Sequence, residues 1–373
     1  MENILFFYLK TGGGHLAPAK SLCKEINRIT EGKISPKLID GFHGSGKFIK
    51  ELIEGGYRRS QSKAVWTFEL LYMITKIRFI ALFAAKFVSY FVKKNLKKVI
   101  LENKPKKIVI FHFFLIIPLN QIIRELKLET EVITVVTDPY TAHPIWFLEK
   151  NQNLVIFSDE LKQKLSHMEP SSKMNVFPFI IDEKFSKKMS ENQICDYKQK
   201  IGIEKNKNVI LLLGGGDGIK NGKKIIENMI KYGPDSHYIV VCGNNNSLYH
   251  KLYKFKFKHE LDNLMILGFV DNIYELINIS NLVITKCGAS TFMEILISGK
   301  IPIVNSYIWE QEKGNVDFIT ANSMGIYEKK IKELPKVANL LQPSSPIYGK
   351  FLSNIANSRL RSGVNDVSRF ILQ

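Results

Sequence analysis

Three stretches of this chain combine residue types and spacings that could do chemistry. The first is Thr11-Gly12-Gly13-Gly14-His15, directly after the apolar run Ile4–Leu9. Glycines there let backbone N–H groups approach a ligand, and a helix start beyond them favours an anion. No Gly-Lys-Ser/Thr follows, so the loop is not a P-loop, and His15-Leu16 before Ala17 spoils a G-x-G-x-x-G. The glycines could equally make a tight turn. His15, expected to be exposed at the carboxyl edge of a strand, is a candidate general base, with a helix cap or a satisfied polar group as its alternative role. The second stretch is Thr137-Asp138-Pro139, followed by His143 and Trp146. Asp138 could orient or activate a hydroxyl, or cap the next segment. The third runs from Thr285 through Gly288, Ala289, Ser290 and Thr291 to Glu294. Small residues between a strand and a helix could present N–H groups to a diphosphate, and Glu294 could accept from two ribose hydroxyls. Glu310, Gln311, Glu312 and Asn315 follow at the next strand end, as suitable partners for sugar hydroxyls. Gly214 and Gly215 open another glycine loop, Gly214–Gly218, which repeats the phosphate-loop logic.

These groups need strand ends to hold them. Short apolar runs bounded by polar residues read as buried parallel strands at residues 3–9, 108–112, 132–136 and 154–157, and again at 209–213, 238–242, 265–267, 282–285 and 301–304. Helix-forming segments alternate with them. The chain therefore reads as α/β, with two doubly wound, Rossmann-like domains in tandem. A chain of 373 residues exceeds the size at which one core stops growing. The expected division is 1–183, 184–345 and a tail, 346–373. Return of that tail to the first domain as a helix rests on analogy with the fold.

The balance of 53 Lys plus Arg against 35 Asp plus Glu gives +18 and points to an anionic partner. Residues 46–107 carry 15 basic against 4 acidic side chains. Within them Trp66, Leu70, Met73, Ile77, Ile80, Ala84, Phe87 and Phe91 recur at helical spacing. The longest apolar stretch, Phe79–Val92, holds 14 residues with Lys86 inside, too few to span a bilayer. The segment reads either as core helices or as an interfacial surface. Arg58, Arg59, Lys93, Lys94, Lys97 and Lys98 favour the second, against an anionic membrane. No nucleic-acid module is recognisable, and no nucleic-acid partner is expected. Four dispersed cysteines form neither a disulfide framework nor a zinc pattern. With no signal-peptide pattern at the N-terminus, a cytoplasmic location is expected.

Four segments together carry a resemblance: TGGGHLAPAKSL, VTDPYTAHPIWF, ILLLGGGDG, and GFVDNIYELINISNLVITKCGASTFMEILISGKIPIV with WEQEKGN after it. Over about residues 3–330 the sequence resembles the diacylglycerol glycosyltransferases, which comprise the plant galactolipid synthases and their processive bacterial glucosyl counterparts. It is more distantly similar to the N-acetylglucosaminyltransferase of the lipid-linked peptidoglycan precursor. The resemblance implies the GT-B fold, two Rossmann-like domains facing across a cleft. It implies that Gly268, Phe269 and Val270 line a uracil pocket, that Gly288, Ala289, Ser290 and Thr291 hold the diphosphate, and that Glu294 binds ribose. Gln311 and Glu312 would contact the donor sugar. His15 would sit near the acceptor, with Asp138 and His143 as further catalytic or acceptor-site candidates. Trp146, Trp66, Lys93 and Lys94 are assigned to the acceptor and membrane side. Departures occur at Cys287-Gly288-Ala289, where the family has Pro-Gly-Gly, at Trp309-Glu310, where it has Pro-Gly, and at Leu16, where a basic residue is common.

The function implied is inverting transfer of glucose or galactose from UDP-glucose or UDP-galactose to diacylglycerol, by an enzyme peripheral to the inner face of the cell membrane. No metal or other cofactor is expected, and no D-x-D motif occurs. The alternatives are another lipid acceptor (a sterol, a glycolipid or a polyprenyl carrier), a nucleotide-sugar epimerase, and a non-catalytic relative that binds nucleotide or lipid.

Overall fold

The computed structural model describes residues 3–56, 65–168 and 171–373. Arg58 and Arg59 lie outside the described residues. The chain divides into two compact units, residues 1–182 with 363–373, and residues 183–362. The expected tail is therefore split. The helix Pro346–Asn357 belongs to the second unit, and the helix Val364–Leu372 packs on Gly13–Ile29 in the first. There Asn365 donates to Glu25 Oε1 at 2.8 Å, and Lys107 Nζ donates to the Ile371 carbonyl at 2.9 Å.

The first unit is built on a parallel six-stranded sheet. Its strands are β1 (Ile4–Tyr8), β2 (Lys37–Asp40), β3 (Lys107–Ile110), β4 (Glu131–Val135), β5 (Asn153–Ile156) and β6 (Lys173–Val176), in the order β2-β1-β3-β4-β5-β6. All five β1 residues are buried, because helices cover both faces of a parallel sheet. Phe6 of β1 pairs in register with Leu38 on one side and Val109 on the other. Winding reverses between β1 and β3, and ligands bind at the carboxyl ends of strands at such a reversal.

Among the described residues the basic segment forms two short helical turns, Lys47–Lys50 and Glu51–Gly55, and then two longer helices, Val65–Ile74 and Arg78–Asn103. The longer one packs Val88, Val92, Leu96 and Ile100 into the main core, and Ala81 and Ala85 into a smaller cluster with Ile117 and Ile145. Its opposite face leaves Phe79 77%, Phe83 68% and Tyr90 82% exposed, and Trp66 on the shorter helix is 67% exposed. The segment is thus core on one face and bare aromatic surface on the other. Among the described residues no helix is long and apolar enough to cross a membrane.

The second unit repeats the architecture with β7 (Val209–Leu213), β8 (His237–Val241), β9 (Leu264–Leu267), β10 (Leu282–Lys286), β11 (Ile301–Ser306) and β12 (Ile326–Tyr327), ordered β12-β11-β10-β7-β8-β9 and all parallel. Here winding reverses between β7 and β10, the strands that end in Gly214–Gly218 and in Cys287–Thr291.

Candidate active site

In the first unit the helix begins at Gly13, so His15 lies in its first turn. The imidazole is only 5% exposed, which corrects the expectation of an exposed ring. Its Nδ1 lies 2.7 Å from the Phe111 carbonyl, which can only accept, so Nδ1 carries the hydrogen and Nε2 the lone pair. The Thr137 hydroxyl lies 3.0 Å from the same nitrogen. Burial lowers the His15 pKa to about 4, partly offset by the Phe111 carbonyl. The start of a helix opposes an imidazolium further. His15 is therefore neutral at neutral pH, with Nδ1 fixed and the lone pair on Nε2.

Asp138 and Trp146 belong to the same cluster. The indole N–H of Trp146 donates to Asp138 Oδ2 at 2.9 Å, and the Trp146 ring centroid lies 6.2 Å from that of His15. Trp146 is fully buried, so it is not a membrane-facing side chain. His143 Nδ1 accepts from the Ile145 N–H, and its Nε2 lies 3.0 Å from the Tyr72 carbonyl. Nε2 thereby ties the helix Val65–Ile74 to the strand-end loop, while Nδ1 is held within that loop. Lys94 is exposed, whereas Lys93 is paired with Glu125.

Two residues that sequence reasoning missed complete this region. His112, at the end of β3, is buried with its ring 4.5 Å from that of His15, and its Nδ1 accepts from the Phe114 N–H. Its pKa is held well below the ordinary value by burial and then by proximity to His15. Glu54, 3% exposed, accepts from the backbone N–H of Lys10 at 3.0 Å, at the entrance to the glycine loop. His112 had a signal in its place at a strand end. Glu54 had none, since it lies on an irregular helical turn far from any motif.

The glycines separate into two kinds. A Cβ at Gly13 or Gly14 would meet nothing within 4 Å, and neither residue has a positive φ. Their identity is not required by the protein's own packing, which leaves space for a ligand. The Thr11 hydroxyl beside them is buried, with no hydrogen-bond partner among the described residues. In the second unit a Cβ on Gly214 would sit 2.3 Å from Gly218, and one on Gly218 would sit 2.7 Å from the Cys242 carbonyl at a φ of +71°. That loop needs glycine to let backbone pack on backbone.

Beyond β10, Gly288 caps the helix Ala289–Ile297 with no side chain on its first N–H groups. The Ser290 hydroxyl there is buried and lacks a partner among the described residues, as do Trp309 Nε1 and Asn315 Oδ1 on the next loop and helix. Buried polar atoms are rarely left unpaired, and three of them beyond the neighbouring strands β10 and β11 suit a polar ligand. Glu312 is turned inward. It accepts from the Ile308 N–H at 2.6 Å and pairs with Lys286 at 3.6 Å, beside Gly288. Asn315 Nδ2 donates to the Cys287 carbonyl at 3.0 Å. Gln311 and Glu294 are half-buried at this end of the sheet. Beyond β9, Gly268 and Val270 flank Phe269, whose ring is 65% exposed. Exposure of this ring leaves a face for stacking.

Residues 15–179 match the family model of monogalactosyldiacylglycerol synthase, and residues 209–341 match the glycosyltransferase family 28 C-terminal domain. A probable monogalactosyldiacylglycerol synthase of rice is 27% identical, over 92% of this chain and 69% of its own length. The processive diacylglycerol β-glucosyltransferase of Bacillus subtilis is 27% identical over 100% of this chain and 95% of its own. Among solved structures, Anabaena HepE in complex with UDP-glucose superposes with a TM-score of 0.61 at 13% identity, over 100% of this chain and 98% of that one. That likeness establishes the fold, GT-B. The two units are thus matched in tandem, the first by the monogalactosyldiacylglycerol synthase model and the second by that of the glycosyltransferase family 28 C-terminal domain, and the chain is homologous to diacylglycerol glycosyltransferases.

Proposed function

We propose that this protein transfers glucose or galactose from a UDP-sugar to the free hydroxyl of diacylglycerol, with inversion, while bound peripherally at the inner face of the membrane. The observation that carries the reading is the state of His15: neutral, held through Nδ1, with its lone pair on Nε2, next to glycines that the fold does not require. The acceptor hydroxyl attacks the anomeric carbon as its proton passes to Nε2. The bond from that carbon to the diphosphate oxygen breaks, and its electron pair leaves with UDP. A ring with so low a pKa is a weak base by itself, so the charge that forms on it needs support. The Phe111 carbonyl faces Nδ1–H at 2.7 Å and stabilises that charge.

The second unit supplies the donor side. The uncapped N–H groups of Ala289–Thr291 and the Ser290 hydroxyl would take the diphosphate, where the helix N-terminus also stabilises the leaving charge. With these donors we propose that no metal is needed, so chelation with EDTA should leave the rate unchanged. Phe269 would stack on the uracil and Glu294 would accept from the ribose. The bare face of Phe79, Phe83 and Tyr90 supplies the membrane contact: side chains of this size stabilise by about 1.5–3 kcal/mol each when fully buried.

The test is transfer of radiolabel from UDP-glucose and from UDP-galactose to diacylglycerol in anionic vesicles. A labelled lipid of inverted anomeric configuration is expected from one donor. Retention of configuration, or UDP binding without transfer to any lipid, would overturn the reading.

A further inference from the structure

The helix Asn246–Lys258 of the second unit carries aromatic rings as well as lysines on its outer side. Leu248 and Leu252 are buried and anchor it to the unit. On the outer side Tyr249, Tyr253 and Phe257 recur every four residues and form a single ridge. Tyr249 and Tyr253 stack at 6.3 Å, Tyr253 is 57% exposed and Phe257 is 81% exposed. Nothing in the fold of the unit calls for aromatic rings in solvent at these positions. Lys251, Lys254 and Lys258 are all exposed along one flank of the ridge, and Lys256 lies on the other. The helix contains no Asp or Glu. The neighbouring helix, Gly222–Tyr232, ends in exposed Lys231 and Tyr232, the latter 58% exposed. This surface belongs to the second unit, and the Phe79–Tyr90 face to the first.

We propose that the helix Asn246–Lys258 is a second membrane-contact surface, which seats on an anionic bilayer. The proposal rests on the transferase reading above for the presence of a lipid surface. Aromatic rings in line along a helix suit the boundary between headgroups and acyl chains, and lysines beside them keep their ammonium groups among the phosphates while their stems cover apolar area. Charge complementarity selects the occupant, since four lysines without a counter-charge on the helix match an anionic leaflet and gain nothing from a neutral one.

The experiment is co-sedimentation of the full-length protein with phosphatidylcholine vesicles, with and without phosphatidylglycerol. It compares the wild type with Lys251→Glu/Lys254→Glu/Lys258→Glu and with Tyr253→Ser/Phe257→Ser. These side chains are exposed, so melting temperatures should match the wild type. Affinity for the anionic vesicles should fall at least about tenfold in the lysine variant, given roughly a factor of five per lysine near such a surface. It should fall in the aromatic variant too, while transfer to diacylglycerol dispersed in detergent stays unchanged. Wild-type affinity in both variants overturns the proposal and leaves the transferase reading intact. Loss of affinity in a protein that transfers no sugar to any lipid supports the surface and sinks that reading instead. If the lysine variant loses binding to an RNA oligonucleotide while its vesicle affinity holds, the surface is for nucleic acid and the proposal is wrong.

Discussion

Gly14→Ala separates ligand approach from backbone need in the first glycine loop. In the structure an added Cβ at Gly14 meets no atom within 4 Å, and the residue already has a negative φ in the first helical turn. Folding should therefore tolerate the change. Alanine is favoured over glycine in a helix by up to ~1 kcal/mol, less near the end, so stability should stay level or rise slightly. For a unit of this size that is at most about 4 °C in Tm. Activity should behave differently. If an acceptor or its headgroup lies against this turn, a methyl group displaces it by about 1 Å, and such a displacement can cost roughly 10²-fold in rate. Gly218→Ala is the control, because its Cβ would lie 2.7 Å from the Cys242 carbonyl at a φ of +71°. That variant should lose stability by about 1–3 kcal/mol. The assays are thermal unfolding and steady-state transfer kinetics for both variants. A Gly14→Ala enzyme that is both stable and fully active would refute the argument that this loop is open for a ligand.

His15→Gln should lower kcat by about 10²–10⁴-fold while UDP affinity, measured by calorimetry, stays the same. In the wild type the acid limb of kcat/KM should fall near pH 4 and not near 6.5, because burial lowers the folded pKa to about 4. The same shift gives the sign of the stability change: the unfolded chain takes up the proton first, so His15's contribution is complete above pH 6.5 and lost as pH falls through about 4. Urea titrations across that window should show a decline that is shallower in His15→Gln. Glu294→Ala should raise the donor KM strongly and leave vesicle binding intact; an unchanged KM would remove Glu294 from the site. Phe79→Ser/Phe83→Ser should weaken vesicle binding without lowering Tm, since both rings are exposed; unaltered binding would mean that this face meets something other than lipid.

The strands that were legible in the sequence are those covered on both faces, such as Ile4–Tyr8 and Val209–Leu213, every residue of which is buried. The strands that escaped notice are at sheet edges: Lys37–Asp40, Lys173–Val176 and Ile326–Tyr327. An edge strand is open to solvent on one side, so it need not be apolar throughout, and its local pattern fades into that of a loop. The helical spacing of the basic segment was equally visible. Which of its faces points outward was not, because the first half of Arg78–Asn103 carries apolar residues nearly all round, and contacts with distant residues, such as Ile117 and Ile145 against Ala81 and Ala85, select the side that is core.

By itself the sequence determined the alternation of strand and helix, the two-unit division and the glycine loops at strand ends, because each is written in neighbouring residues. It also carried the family, through spaced motifs that no single segment explains. Only the tertiary structure decided which groups act together. His15 meets the Phe111 carbonyl and Thr137, 96 and 122 residues away, and that burial makes it a neutral ring with one nitrogen fixed. Only packing distinguishes Gly218, which backbone contact requires, from Gly14, which it does not. The physical reason is the same in both cases: residue type sets what a group can do, whereas desolvation and close contact depend on atoms contributed from distant parts of the chain.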